Sequence, residues 1–194
     1  MAKQPTEKCI SKKGTLMFVN YFGEGKPSLN NVMRYNAHVD YKTDSEEDKA
    51  MHDMIMKFWD TNKSPSAKKS PATMARKVLT DKNTEQPTGF VRYNFWTNAT
   101  NVDGSNRKVN IYKANGDPVD LKGRNIGNGS IGYITGAMGM YENSGKFGVC
   151  LYFSGVQITK FVEYTGNDMT VKDEESDGFD GDFEDFDGGD DVPY

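Results

Sequence analysis

Between Asn31 and Lys42 apolar and polar residues alternate without a break. Met33, Tyr35, Ala37, Val39 and Tyr41 fall on one side of an extended backbone, and Arg34, Asn36, His38, Asp40 and Lys42 fall on the other. A helix would scatter both sets around its axis, so the segment is predicted as a half-buried β-strand. The same period governs Gly89 to Thr97, where Val91, Tyr93 and Phe95 oppose Phe90, Arg92, Asn94 and Trp96. Further strand patterns occupy Leu16 to Phe22, Lys108 to Lys113, Ser130 to Tyr141 and Phe147 to Tyr164. The last of these changes register near Gly155, where a bulge or bend is expected.

Helical spacing occurs only between the early strands. Asp44 with Glu47 three residues later resembles a capping box, followed by the stripe Met51, Met54, Ile55 and Phe58. Ser70-Pro71 is expected to open a second, short helix with Met74, Val78 and Leu79 inward. Five to six strands, one or two inserted helices and Gly-rich turns predict a mainly β chain. The specific expectation is an OB-fold-like Greek-key barrel.

Charge divides the chain. All 24 lysines and arginines precede residue 173, whereas 11 of the 28 acids follow residue 172, so the body carries about +7. Residues 1–14 read as a flexible basic arm, 15–172 as the single folded domain, and 173–194 as a disordered acidic tail. The basic body predicts a polyanionic ligand. No apolar stretch is long enough to span a membrane and no secretory leader pattern is present, so a soluble intracellular protein is expected. Cys9 and Cys150 lack a CxxC partner and read as free thiols.

Single-stranded nucleic acid is held by cations along its phosphates and by aromatic faces under its bases. On the predicted strand at 89–97, Arg92 and Trp96 lie side by side on the polar face. A second group comprises Lys108, Tyr112, Lys122 and Arg124, with Arg107 and Lys113 beside them. Gly/Asn-rich connections there, Asn128 included, would let backbone amides approach phosphates. Lys63, Lys68, Lys69, Arg76 and Lys77 supply a third cationic region. Solvated surface lysines and a tryptophan packed beneath a loop are the plain alternatives. The tail spaces Phe179, Phe183, Phe186 and Tyr194 among its acids, an arrangement that imitates a single strand and suits a partner-binding segment.

Enzyme readings find little support. His38 and His52 lie outside any HExxH, CxxC or GxSxG context, and no Walker-type loop is present. Asp40, Asp103, Asp117 and Asp120 are scattered and suit turns better than a metal-dependent nuclease. No cofactor or metal is expected.

The segment Gly127-Asn-Gly-Ser-Ile-Gly-Tyr-Ile134, the segment Lys146-Phe-Gly-Val-Cys-Leu-Tyr-Phe-Ser-Gly-Val-Gln-Ile-Thr-Lys-Phe-Val-Glu-Tyr164 and the acidic tail ending at Tyr194 together resemble the single-stranded-DNA-binding proteins of tailed bacteriophages. The resemblance implies coating of replication intermediates in the host bacterial cytoplasm and help with strand annealing in recombination and repair. It also implies contact of the tail with a DNA polymerase or primase-helicase, and a homodimer. A terminal Tyr stands where that family has Phe. The alternatives are a strand-annealing mediator, an RNA-binding OB-fold protein and, less favoured, a metal-dependent nuclease.

Overall fold

The structure, a computed structural model, describes residues 5–28, 31–63, 75–143 and 146–164. Its described elements are β1 (Thr6–Ile10), β2 (Gly14–Asn20), β3 (Lys26–Pro27), β4 (Met33–Lys42), α1 (Glu46–Asn62), β5 (Arg76–Thr80), β6 (Pro87–Asn98), β7 (Asn110–Tyr112), β8 (Ser130–Asn143) and β9 (Lys146–Lys160). Strands β2, β4, β6, β9 and β8 pair in that order, and β8 returns to β2, which closes a five-stranded barrel. Only the β6–β9 contact within it is parallel. In barrel order the strands run first, second, third, fifth, fourth, the Greek-key closure expected of an OB-fold.

The two alternating segments form the antiparallel pair at its centre. Tyr35, Ala37, Val39 and Tyr41 of β4 are buried together with Val91, Tyr93 and Phe95 of β6. From β8 and β9 the core receives Ile134, Met138, Val149, Leu151, Phe153, Val156 and Ile158. The inward register of β9 changes where expected. Thr135 faces Gly155 while Gly136 faces Phe153, so Ser154 is the extra residue of a bulge. At Gly136 a side chain would collide with the Tyr152 carbonyl, which fixes glycine at this close approach of β8 and β9.

Several expectations need correction. Residues 6–10 do not belong to a loose arm, because they pair with β8 from Thr6↔Gly139 to Ile10↔Thr135. Their sequence lacks alternation because only Cys9 faces the core, and the open edge of β8 supplies the backbone partners. Val78 and Leu79, expected on a helix, lie in β5, which extends the sheet along β6. Residues 70–74 lie outside the described residues, as does the whole acidic tail. β9 ends at Lys160, short of Tyr164, and the chain then bridges back through Gly127 N–H to the Val162 carbonyl at 2.7 Å.

The helix is capped one residue later than expected. Ser45 is its N-cap and accepts from Asp48 N–H, while the Asp48 carboxylate accepts from Asp44 N–H. Met51, Ile55 and Phe58 are buried as expected, joined by Trp59. Asp48 is also buried and ties the helix to the barrel. Arg76 donates to it twice, at 2.9 and 2.7 Å, and the Tyr93 hydroxyl donates at 2.7 Å.

Burial alone would raise the Asp48 carboxyl, but hydrogen bonds from Arg76, Tyr93 and Asp44 N–H outweigh it and hold the pKa near 2. A carboxylate whose folded pKa lies below its unfolded value stabilises above that unfolded value and ceases to do so as pH falls through the folded one. Asp48→Asn leaves Arg76, a partly buried cation, without its counter-ion and should cost about 2 kcal/mol at pH 7, less than a fully buried pair because solvent reaches the guanidinium. Thermal unfolding of both proteins should show that gap narrowing as pH falls from about 4 towards 2; a gap independent of pH would contradict the assignment.

Candidate nucleic-acid interface

The face of β4 and β6 turned away from the core is crowded with polar and aromatic groups. Register fixes their neighbours: Asn36 faces Trp96, His38 faces Asn94 and Asp40 faces Arg92. Arg34 enters diagonally, its guanidinium carbon 3.9 Å from the Trp96 ring centroid. Such a contact contributes about 0.5–2 kcal/mol. Among the described residues no carboxylate pairs with Arg34, and its Nε is buried without a hydrogen-bond partner. Tyr152, opposite Trp96 on β9, meets that ring edge-on at 5.4 Å.

Arg92 is spent differently. Its guanidinium forms a two-pronged pair with Asp40, at 2.7 and 2.6 Å, with little of either side chain exposed. It also lies 4.9 Å from the Phe18 ring centroid. A cation neutralised in this way orients a ring instead of seeking phosphate.

His38 sits between these groups. The Asn36 amide nitrogen lies 2.9 Å from the Phe18 carbonyl and 3.2 Å from His38 Nε2. That nitrogen carries only donors, so Nε2 must accept, and the ring proton sits on Nδ1, donated to Asn94 Oδ1. Neutral His38 thereby fixes both amides.

Arg92 and Trp96, singled out from sequence, do share this face. The others group elsewhere. Lys108 and Tyr112 line a groove of about 360 Å³ with Tyr21, Val119 and Asp120. Lys122 is exposed on a nearby turn, and Arg124 offers its carbonyl to the Tyr21 hydroxyl at 2.6 Å. Arg76, counted among the loop cations, is committed to Asp48. Lys68, Lys69, Phe179, Phe183, Phe186 and Tyr194 lie outside the described residues. In the loop whose backbone amides were expected to approach phosphate, the Asn128 side-chain oxygen accepts the Phe18 N–H at 2.6 Å, and the Gly127 and Gly129 amides donate to the Val162 and Leu16 carbonyls at 2.7 and 3.1 Å.

Sequence reasoning missed Phe18 and Arg34. Period two puts Phe18 on the side of buried Leu16, yet the ladder between β2 and β4 shifts register between Met17 and Asn20, and Phe18 emerges 46% exposed. Arg34 was legible as polar-facing, but nothing local announces that it covers a tryptophan sixty-odd residues away.

No family model and no curated protein matches this chain. Among solved structures it is similar to gp2.5, a single-stranded-DNA-binding protein encoded by bacteriophage T7, with 16% identity and a TM-score of 0.57, over 84% of this chain and 92% of that one. It is also similar to the single-stranded-DNA-binding protein of bacteriophage Enc34 in complex with single-stranded DNA, with 11% identity and a TM-score of 0.58, over 82% and 89%. A second structure of the Enc34 single-stranded-DNA-binding protein matches with 12% identity and a TM-score of 0.54, over 84% and 87%. The chain has their fold. The expected OB-fold barrel is therefore present, and its outer β4–β6 face is the surface through which such barrels commonly take oligonucleotides.

Burial lowers the His38 pKa below its ordinary 6.5, and the charges of Arg92 and Lys26 act in the same direction against Asn94 and Asp40. The fold thus favours neutral His38; that contribution is complete above about 6.5 and is lost as pH falls through the depressed value. Histidine ring-proton shifts followed against pH should give a His38 midpoint below 6.5. A midpoint at or above the ordinary value would mean that the amide lock is wrongly assigned.

Proposed function

We propose that this protein binds single-stranded DNA with little sequence preference, across the outer face of β2, β4, β6 and β9. The observation that carries the reading is the Arg34–Trp96–Tyr152 cluster, which joins a cation paired with no carboxylate among the described residues to two rings on that face of an OB-fold barrel. The solved neighbours support it, since each is described as a single-stranded-DNA-binding protein and one holds single-stranded DNA. Arg34 meets a phosphate while exposed ring surface beside it takes bases. Lys108, Lys122 and Arg124, with Tyr112 as a further ring, extend the path round the barrel, and Lys68 and Lys69 add diffuse attraction.

No bond is made or broken in this reading, and no cofactor is needed. Among the described residues no group of three or more His, Cys, Asp or Glu is arranged to hold a metal. No helix among them is long and apolar enough to cross a membrane. On the same proposal the protein acts in the cytoplasm of a bacterial host, coating replication intermediates and favouring their annealing.

The tail has a second role within the same reading. Eleven carboxylates with Phe179, Phe183, Phe186 and Tyr194 resemble a polyanion bearing stackable rings, and tethering keeps their effective concentration high. The tail competes with DNA for the body and, once displaced, engages a DNA polymerase or primase-helicase. Self-association as a homodimer belongs to the same proposal and is read from the mass of the free protein in solution.

Titration of a labelled oligonucleotide at several salt concentrations tests the reading. Affinity should fall with salt at a slope of roughly 0.7 per neutralised phosphate. Arg34→Ala should cost about 1–2 kcal/mol and lower that slope by about 0.7. Salt-independent affinity, or equal competition by RNA of the same length, would overturn the single-stranded-DNA assignment.

Deleting residues 173–194 should tighten DNA binding, and the effect should fade as salt screens both polyanions. Replacing the four tail rings with Ser while keeping every acid separates mimicry from charge. If that variant binds DNA and partners as the parent does, the tail acts as a charged brush alone.

A further inference from the structure

Phe18 combines two features that seldom coexist without a purpose. It is a bulky residue with a left-handed backbone, φ +49°, and it is 46% exposed. Large side chains rarely adopt that conformation, because Cβ crowds the backbone, and such strain persists only where surrounding structure enforces it. Here the enforcement is visible atom by atom. Asn128 Oδ1 takes the Phe18 N–H at 2.6 Å, and Asn36 Nδ2 donates to the Phe18 carbonyl at 2.9 Å. Both backbone groups would otherwise pair along β2, whose ladder with β4 is interrupted at this point.

The ring has neighbours of its own. His38 meets it edge-on, with centroids 5.9 Å apart and planes at 88°. Arg92 lies beside it at 4.9 Å and is itself held by Asp40. His38 is in turn fixed by Asn36 and Asn94. Residues from β2, β4, β6 and the loop before β8 therefore converge to hold one half-exposed ring outward. Trp96 offers less, because Arg34 occupies one of its faces and Tyr152 its edge.

We infer that Phe18 is the principal ring on which a nucleobase of the bound strand stacks, with Asn36, Asn128, His38 and Arg92 acting as its positioning residues. The inference rests on the single-stranded-DNA reading and deepens it. A bulge re-aims a side chain that the strand's own period would bury. A ring restrained by such neighbours loses less entropy when a base covers it, so stacking retains more of its free energy. Because every base has a π-face, a site of this kind is tolerant of sequence.

The test uses the full chain, a fluorescein-labelled oligodeoxythymidylate followed by anisotropy at several salt concentrations, and thermal unfolding. Phe18→Gly and Phe18→Asn both accept the left-handed backbone, so neither should lower Tm. Each should weaken binding about tenfold while leaving the salt slope unchanged, since no phosphate contact is removed. Phe18→Trp should bind within about twofold of the parent, and Asn128→Ala should fall between parent and Phe18→Gly at an unchanged salt slope. Parent-like affinity in both Phe18→Gly and Phe18→Asn overturns the inference and leaves the DNA reading standing; so does a loss accompanied by a changed salt slope, or a change in solution mass without a change in affinity, which would make the ring a contact for a second copy. Failure of the parent itself to bind removes the DNA reading and this inference with it.

Discussion

Cross-strand pairing of β4 with β6 decides both surfaces of this barrel. It runs from Arg34↔Asn98 to Lys42↔Phe90 without interruption, and a slip of one residue would exchange its two faces. On the inner side it delivers Tyr35, Ala37, Val39 and Tyr41 against Val91, Tyr93 and Phe95. On the outer side it aligns Asp40 with Arg92, His38 with Asn94 and Asn36 with Trp96. Burial of the first set fixes the register that the second set requires. The hydrophobic effect, which has no directional preference of its own, thereby positions groups whose interactions depend strongly on direction.

The outer network is consistent with a surface prepared in advance. Asp40 neutralises Arg92, neutral His38 orients two amides, and Arg34 spreads over Trp96. Little rotamer freedom remains to be lost when a ligand arrives, and lost rotamer freedom is one of the main costs of association. The same logic holds the helix to the barrel: Asp48 accepts from Arg76 and Tyr93, a buried charge tolerated because hydrogen bonds surround it.

Likeness to the phage proteins lies in architecture, at identities of 10–16%. At that level the likeness is one of fold. Gly127 to Ser130 illustrates how a local motif serves the fold first. A side chain at Gly127 would strike the Val162 carbonyl, the Ser130 hydroxyl bonds the carbonyls of Gly127 and Val162, and Asn128 anchors Phe18. The loop that reads as a phosphate cradle is also a joint between β8, the chain after β9 and the bulge in β2.

What the sequence by itself determined were properties that depend on near neighbours along the chain: the period-two strands, the apolar stripe of α1, the bulge near Gly155, and the division of a basic body from an acidic tail. From those came the barrel class and the placing of Arg92 and Trp96 on one face. Only the tertiary structure decided that residues 6–10 form a strand, because the open edge of β8 recruits them through backbone hydrogen bonds that carry no side-chain signature. Only it turned Phe18 outward, since the register shift depends on Asn36 and Asn128, eighteen and 110 residues away. Which cations remain available was likewise beyond local pattern. Arg34, Arg76 and Arg92 look alike in sequence, yet Asp48 and Asp40 engage two of them and leave the third on a tryptophan, because charge pairing is set by distance in space and not by spacing along the chain.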